Sequence, residues 1–232
     1  MFKKRSLKPE RIDTGDYTPE EYATFLREIR FINQRLGDRA AIENTLLAEI
    51  TRLDLKEFSV LDVGAGTGEL LSVIAEFARS GIRNTRLVGL DLNGLSTNEI
   101  AAESKKYIEI SPVRGDALSL PFADDSFDYS ICSLFTHHLT DDQIIRVLPE
   151  MSRVARRGIV VVDLERSPMA WFLYQLFCIA YRISPLVRQD GSLSIRKGFR
   201  VDEFERFAER LDLRNAAVER SKPFRLILSS LK

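Results

Sequence analysis

Cysteine is scarce in this sequence, with only Cys132 and Cys178 among 232 residues. Both lie in strongly apolar stretches, and two thiols do not make the disulfide framework that is typical of small secreted domains. We therefore interpret both as reduced core residues. A chain of this length buries enough apolar surface to fold without such cross-links.

An excess of one charge sign is also missing. Lys plus Arg number 34, as do Asp plus Glu, so no overall basic field would attract nucleic acid. The basic segment Met1–Glu10 is not followed by an apolar run, so it does not predict a signal peptide. The apolar stretch Pro168–Val187 is interrupted by Gln175, Arg182 and Pro185, which disfavours a membrane-spanning helix. We expect a cytoplasmic protein with no nucleic-acid partner and no stable membrane insertion.

The pattern along the chain predicts an α/β fold. Apolar residues three and four apart predict helices before residue 52, broken at Gly37, and these would form an N-terminal helical cap over residues 1–52. From residue 59 onward, short apolar runs alternate with helical stretches, which predicts a mostly parallel sheet with helices on both faces. The runs that predict these strands are Val60–Val63, Arg86–Leu90, Ile108–Val113, Tyr129–Ser133 and Gly158–Asp163.

The C-terminal part predicts a different end to the sheet. Val201–Leu211 has one apolar face and predicts a helix. Ala216–Arg220 and Phe224–Ser230 then predict an antiparallel strand pair joined by a turn that contains Pro223. Residues 53–232 are therefore predicted to form a Rossmann-like, seven-stranded, mostly parallel sheet with a closing antiparallel hairpin.

A glycine-rich turn follows the first predicted strand and opens a helix. In Asp62-Val-Gly-Ala-Gly-Thr-Gly68, the glycines permit a tight turn and close approach of a ligand to the backbone. Asp91 ends the second predicted strand about 20 residues later, where a carboxylate can hold a pair of ribose hydroxyls. Gly68 comes one residue too early for the G-x-G-x-x-G pattern of dehydrogenases. Asp62 also suits an amine-bearing ligand better than a pyrophosphate, so a dinucleotide cofactor is disfavoured.

These residues resemble the class I S-adenosylmethionine-dependent methyltransferases over about residues 59–163. The segment 62–68 is similar to their first motif, which holds the methionine portion of the cofactor, and Asp91 to the acid that binds the ribose. Gly115-Asp116-Ala117 resembles the third motif, whose acid lies near the adenine, and residues 120–138 resemble the post-strand motif of the small-molecule branch. The resemblance implies S-adenosylmethionine as cofactor. It implies these cofactor-binding residues: Asp62, Gly64, Ala65, Gly66, Gly68, Asp91, Leu92, Asp116, Ala117, Cys132 and Ser133.

A further set of segments carries a narrower resemblance: Ile32-Asn33-x-x-Leu36-Gly37, the pair His137-His138, Ala155–Gly158, Asp163–Ser167 and Asp190–Arg196. Together they resemble bacterial methyltransferases associated with type III polyketide or phenolic-lipid pathways. This resemblance implies an aromatic or lipid-like acceptor.

His137 and His138 are the only two histidines. They follow the fourth predicted strand, at the edge where open α/β sheets bind ligands. A histidine there can take a proton from a hydroxyl as a methyl group is transferred, and the family resemblance favours His138. The alternative is a histidine that packs beneath the cofactor or caps the next helix. Asp141 and Asp142 are read as the start of that helix, and no metal is predicted.

Residues 164–200 predict a lid or substrate-binding insertion. Met169–Tyr181 is apolar all round, which indicates burial or contact with something apolar. A core or dimer helix and a membrane-surface contact are the alternatives to a lid. Arg188–Arg200, with a turn at Asp190-Gly191, either meets a substrate anion or forms a solvated loop. The predicted substrate-binding residues are Phe135, Trp171, Tyr174 and Arg196.

These patterns predict an enzyme that transfers a methyl group from S-adenosylmethionine to an aromatic, phenolic or lipid-like small molecule, as a monomer or homodimer. The alternative is a catalytically silent protein of the same fold that acts as a cofactor-binding or protein-interaction module. The glycine spacing disfavours a nicotinamide oxidoreductase. Neutral charge and a missing Asn/Asp-Pro-Pro-aromatic motif disfavour a nucleic-acid methyltransferase. The identity of the acceptor and the methylated atom stay open.

Overall fold

The computed structural model describes residues 2–36 and 38–232. Its strands are β1 (Glu57–Val63), β2 (Asn84–Asp91), β3 (Ile110–Arg114), β4 (Phe127–Ser133), β5 (Ala155–Leu164), β6 (Ala216–Ser221) and β7 (Arg225–Leu231). They form one sheet in the order β3-β2-β1-β4-β5-β7-β6. Strands β1 to β5 pair in parallel, whereas β7 runs antiparallel to both β5 and β6. This confirms the predicted mostly parallel sheet and its closing hairpin.

Helices surround this sheet. In chain order they are α1 (Arg11–Thr14), α2 (Pro19–Asn33), α3 (Asp38–Ile42), α4 (Ala48–Arg52), α5 (Glu69–Ser80), α6 (Gly94–Ser104), α7 (Asp141–Val154), α8 (Pro168–Ala180), α9 (Pro185–Lys197) and α10 (Val201–Arg210). A π-helical turn, Glu43–Leu47, joins α3 to α4, and a 3₁₀ turn, Thr136–His138, follows β4.

The valine run of β5 shows how the sheet separates two apolar cores. Val161 belongs to the cluster on one face, whereas Val160 and Val162 belong to the cluster on the other. Successive side chains of a strand point to opposite faces, so a strand buried on both faces is apolar throughout. The parallel strands β1, β2 and β4 end at the same edge, and the segments that follow them therefore meet there.

The N-terminal helices divide into two groups. Helix α2 begins at a Thr18 cap, whose hydroxyl accepts a hydrogen bond from the Glu21 N–H, and it packs through Ile32 against α8 and α9. The continuous helical run from α3 to α4 instead packs against the sheet, with Ile42 and Ile50 fully buried. The predicted helix break at Gly37 falls outside the described residues.

The predicted turn at Asp190-Gly191 is wrong, because both residues lie inside helix α9. The Asp190 carboxylate accepts hydrogen bonds of 3.0 Å from two backbone N–H groups of the N-terminal segment. A side chain at Gly191 would collide with the Tyr174 hydroxyl. The sequence does carry a helix signal here, since Ser184 caps the first turn and Pro185 occupies its first position. The dipeptide Asp190-Gly191, which is typical of a turn, obscured that signal.

The apolar stretch after β5 forms helix α8, which packs against α9. Its buried residues are Ala170, Tyr174 and Cys178. In the described part of the chain, no helix has both the length and the apolar character needed to cross a bilayer.

Candidate functional site

A cavity of about 1310 Å³ opens at the carboxyl edge of the parallel strands. It is lined by the segments that follow β1, β2 and β4, by parts of α2, α8 and α9, and by residues of the N-terminal segment 10–17. Pockets for single small ligands usually measure about 300–1,000 Å³. This cavity is therefore large enough for a cofactor and a second molecule.

The glycine loop forms the wall next to β1. Gly64 has φ +70°, and a side chain there would collide with the Phe135 ring. Gly66 has φ +54°, but an added Cβ would meet no atom of the described chain within 4 Å. Both positions need a backbone conformation that favours glycine. Only at Gly66 is the space beside the backbone open to a ligand.

Asp62 is a buried carboxylate beside this loop. The residue lines the cavity and is only 3% exposed. Its Oδ1 atom has no hydrogen-bond partner within the described residues. Burial, and then the negative charge of Asp91, raise the pKa of Asp62 to about 8. A buried polar atom is almost always hydrogen-bonded in a native protein, so this carboxylate indicates a missing cationic or hydrogen-donating partner.

Asp91 closes the other side of the loop. Its Oδ2 atom accepts a 3.0 Å hydrogen bond from the Gly66 N–H, and its Oδ1 atom accepts a 2.8 Å bond from the Asn93 N–H. Burial raises the pKa of Asp91, although these two bonds oppose the shift. Each carboxylate oxygen can accept a further hydrogen bond. The side chain is thus fixed in orientation and can still accept bonds from a ligand.

His137 is locked in place by Asp163. Its Nδ1 atom lies 2.7 Å from Asp163 Oδ1, and its backbone N–H donates a 2.9 Å hydrogen bond to Oδ2. The Thr136 hydroxyl donates a third bond to the same carboxylate at 2.6 Å. Burial alone would raise the pKa of Asp163, but the charge of His137 and these hydrogen bonds lower it to about 2. The bonds hold the 3₁₀ turn against the end of β5.

His138 stacks on His137, with 4.2 Å between the ring centroids. It lines the cavity, and 24% of its side chain is exposed. Its Nδ1 atom lies 2.9 Å from Asp13 Oδ1. Burial would lower the pKa of His138, but the hydrogen bond to Asp13 and the charges of Glu10 and Asp13 raise it. His138 is therefore the more accessible histidine of the pair, and its ring is oriented by a carboxylate.

Glu10, His137 and His138 offer atoms of metal-ligand type that all lie within 4.8 Å of one another. However, the Lys197 ammonium lies 3.1 Å from Glu10 Oε1 and 3.3 Å from Asp13 Oδ2. A divalent ion at this point would be repelled by that buried cation. The arrangement favours carboxylates neutralised by lysine, and the absence of a metal stays a prediction.

Most predicted cofactor-binding residues meet at the cavity, namely Asp62, Gly64, Ala65, Gly66, Asp91, Leu92 and Ser133. The others do not line it: Gly68 caps α5, Asp116 is exposed, and Ala117 and Cys132 are buried in the core. Among the predicted substrate-binding residues, Phe135 and Tyr174 line the cavity, whereas Trp171 and Arg196 do not. The roles assigned to these residues stay predictions.

Sequence reasoning missed several polar residues of the cavity. Glu10 and Asp13 come from the N-terminal segment, which carries no periodic pattern, and Tyr22 places its hydroxyl 3.2 Å from that of Ser96. Glu69 also lines the cavity, and burial raises its pKa to about 7 against a hydrogen bond from Gln34. Its position directly after the glycine loop was the one available sequence signal.

Comparison with known proteins agrees with this geometry. Residues 60–158 match the family described as methyltransferase domain. A demethylmenaquinone methyltransferase of Bacillus velezensis is 38% identical over 124 residues, which cover 49% of this chain and 51% of that protein. The chain thus spans about half the length of the curated relatives that it matches.

Two solved structures share the fold over most of the chain. A SAM dependent methyltransferase from Aquifex aeolicus has a TM-score of 0.58 at 15% identity, covering 93% of this chain and 98% of its own. The magnesium protoporphyrin IX methyltransferase from Synechocystis PCC 6803, solved with bound SAH, has a TM-score of 0.59 at 12% identity and covers 84% of both chains. The chain therefore shares the fold of these solved methyltransferases, and its residues 60–158 match a methyltransferase domain.

Proposed function

We propose that this protein transfers a methyl group from S-adenosylmethionine to a small-molecule acceptor. The observation that carries the proposal is the buried Asp62 carboxylate, which lacks a partner within the described residues. The amino group of the cofactor's methionine portion would supply the missing partner. Asp91 has acceptor capacity for a pair of ribose hydroxyls, and the space beside Gly66 admits a ligand. The residues of the cavity therefore fit this cofactor.

When bound, S-adenosylmethionine supplies a methyl group activated by a sulfonium sulfur. The chain's own task is to hold the acceptor in line with that group and to exclude water. Near-attack positioning can supply about 7–11 kcal/mol of the barrier reduction in a reaction between two bound molecules. Apolar side chains from α2 and α8 line the cavity and keep water out. A covalent nucleophile is not required.

We assign the proton-accepting role to His138. With Nδ1–H donating to Asp13, the neutral imidazole presents an unprotonated Nε2 atom. That nitrogen can accept the proton that a hydroxyl acceptor loses on methylation. His137 supports the ring by stacking and is itself held by Asp163.

An aromatic, phenolic or lipid-like acceptor fits the part of the cavity away from the glycine loop. The N-terminal cap, the segment 164–200 and Phe224 supply this wall, in agreement with a lid role for residues 164–200. The narrower resemblance to enzymes of type III polyketide and phenolic-lipid pathways supports the same class, as do relatives named for demethylmenaquinone. The apolar side chains of the wall are Phe25, Leu26, Ile29, Ile32, Leu173, Tyr174, Phe177 and Phe224.

Balanced charge and buried free cysteines support a cytoplasmic protein with no nucleic-acid partner. We propose that it acts as a monomer or a homodimer.

Calorimetry tests the cofactor first. Titration with S-adenosylmethionine and S-adenosylhomocysteine should show micromolar binding to the wild type, while NAD, as the control ligand, should not bind. Asp62→Ala and Asp91→Ala should each lose this binding, whereas Asp142→Ala, a change at an exposed acid, should retain it. Retained affinity in both site variants would defeat the assignment.

Methyl transfer is tested next with phenols that carry short and long alkyl chains. The wild type should form methylated product, and His138→Gln should bind the cofactor normally but lose at least tenfold in rate. Firm cofactor binding with no methyl loss across these acceptors would favour a catalytically silent binding module instead.

A further inference from the structure

Helix α8 presents apolar side chains on two opposite sides. Its inner side, with Ala170, Tyr174 and Phe177, lines the cavity. Its outer face consists of four residues at spacings of three and four, which places them in one stripe along the helix. The helix contains no charged residue. The outer face is formed by Met169, Phe172, Leu176 and Ile179, which are 58%, 53%, 48% and 60% exposed.

This stripe differs from the two most exposed apolar residues of the described chain. Ile82 and Ile108 are 92% and 88% exposed, but each lies singly outside the helices and strands. Isolated exposed apolar side chains are normal, whereas a contiguous stripe marks a surface that meets something apolar. The 13 residues of α8 correspond to a length of about 20 Å.

Arginines lie around the outer face. Arg182 lies two residues after the end of α8 and is exposed. Arg188 donates a 2.9 Å hydrogen bond to Gln175 of α8, and the Arg35 guanidinium lies 3.6 Å from the centroid of the Phe31 ring, which packs against the same helix end. The nearby carboxylate of α2, Glu28, is occupied by hydrogen bonds from the backbone N–H and the hydroxyl of Ser184, at the start of helix α9. An apolar stripe with a basic rim is complementary to a bilayer surface that contains anionic lipids.

We propose that the outer face of α8 docks on an anionic membrane surface, with the helix lying in the plane of the interface. The inference rests on the proposed function, since the inner side of the same helix lines the acceptor cavity. Docking places that cavity beside the acyl layer, from which a lipid-like acceptor enters without crossing water. A second copy is the less suitable occupant: four half-exposed side chains offer roughly 500 Å², whereas a standard interface buries about 800 Å² per partner.

Vesicle sedimentation of the full chain tests this docking. The wild type should sediment with vesicles of phosphatidylcholine and phosphatidylglycerol in a 3:1 ratio, and much less with phosphatidylcholine alone. The combined Phe172→Ser, Leu176→Ser and Ile179→Ser variant should lose at least tenfold in binding. Arg182→Gln should lose about fivefold on the anionic vesicles only. The control variant combines Ile82→Ser and Ile108→Ser. It removes two exposed apolar side chains that lie outside the outer face, and it should bind the vesicles as the wild type does.

Two further measurements separate the outcomes. Calorimetry with S-adenosylhomocysteine should give wild-type affinity in the outer-face variant, because none of its three positions lines the cavity. Cofactor binding without vesicle binding in the wild type would overturn the docking and leave the proposed function intact. Vesicle binding without cofactor binding would overturn the proposed function and leave the docking surface intact. A wild-type dimer in analytical ultracentrifugation that becomes a monomer in the outer-face variant would assign the face to a second copy and overturn the proposal.

Discussion

Replacing Asp62 with asparagine should stabilise the cofactor-free protein at pH 8 and abolish cofactor binding at the same time. Burial and the charge of Asp91 raise the pKa of this carboxyl from 3.8 to about 8. Between those pH values the folded protein retains a proton that the unfolded chain has released. The free energy of unfolding of the wild type therefore falls as the pH rises from about 4 to about 8. Asparagine does not ionise, so the variant should not show this loss.

The structure sets the size of the effect. A pKa raised by about four units corresponds to roughly 5 kcal/mol of lost stability at high pH, as an upper limit. Relaxation of the buried site and entry of water reduce that figure. We therefore compare the free energy of unfolding of the variant with that of the wild type at each pH. This difference should be about 2 kcal/mol more in favour of the variant at pH 8 than at pH 5. Few substitutions in a core stabilise a protein, which makes the sign of the change diagnostic.

Urea unfolding at pH 5 and pH 8 measures this difference. Asp142→Asn, at an exposed position, is the matched control and should show the same stability difference from the wild type at both pH values. Calorimetry on the same samples should show that only Asp62→Asn loses S-adenosylhomocysteine. A stability difference for Asp62→Asn that is equal at the two pH values, or a variant that still binds the cofactor, would refute the reasoning.

Three further predictions concern the loop, the histidine and metal dependence. Gly66→Ala, at φ +54°, should cost about 1–2 kcal/mol of stability but abolish cofactor affinity in calorimetry. A folded Gly66→Ala protein that binds the cofactor as the wild type does would contradict an open ligand space at this position. Asp13→Asn should lower the pKa of His138, whose hydrogen bond to Asp13 raises it. The acid limb of the kcat/KM profile should then move to lower pH, and an unmoved limb would exclude His138 as the base. EDTA should leave methyl transfer unchanged, because Lys197 already neutralises Glu10; activity lost to EDTA and restored by a divalent ion would identify a metal site.

Local residue patterns were sufficient for the frame of the site. The valine run of β5 predicted a strand buried on both faces, and Val160–Val162 alternate between the two cores as that pattern requires. The glycine loop, with Asp62 before it and Asp91 at the end of the next strand, predicted the cofactor edge. Each of these signals extends over a few consecutive residues, where backbone geometry and strand periodicity act directly.

Helix α9 shows where local interpretation failed. The segment is polar and basic and contains Gly191, which lowers helix propensity. Packing of that glycine against Tyr174, and the hydrogen bonds of Asp190 to the N-terminal segment, hold the helix in place. Both partners lie outside α9, so the propensity of the segment itself could not reveal them.

The sequence by itself determined the sheet, the glycine loop after β1 and the placement of two histidines at the edge of the sheet, because each depends on residues close together in the chain. Only the tertiary structure decided which histidine is accessible and what surrounds it. Asp13 lies 125 positions from His138, and Glu10 meets Lys197 across nearly the whole chain. Such pairs form because the N-terminal segment lies across the end of β4 and against α9. Their electrostatic effects depend on burial and on distances of a few ångströms, which chain order does not encode.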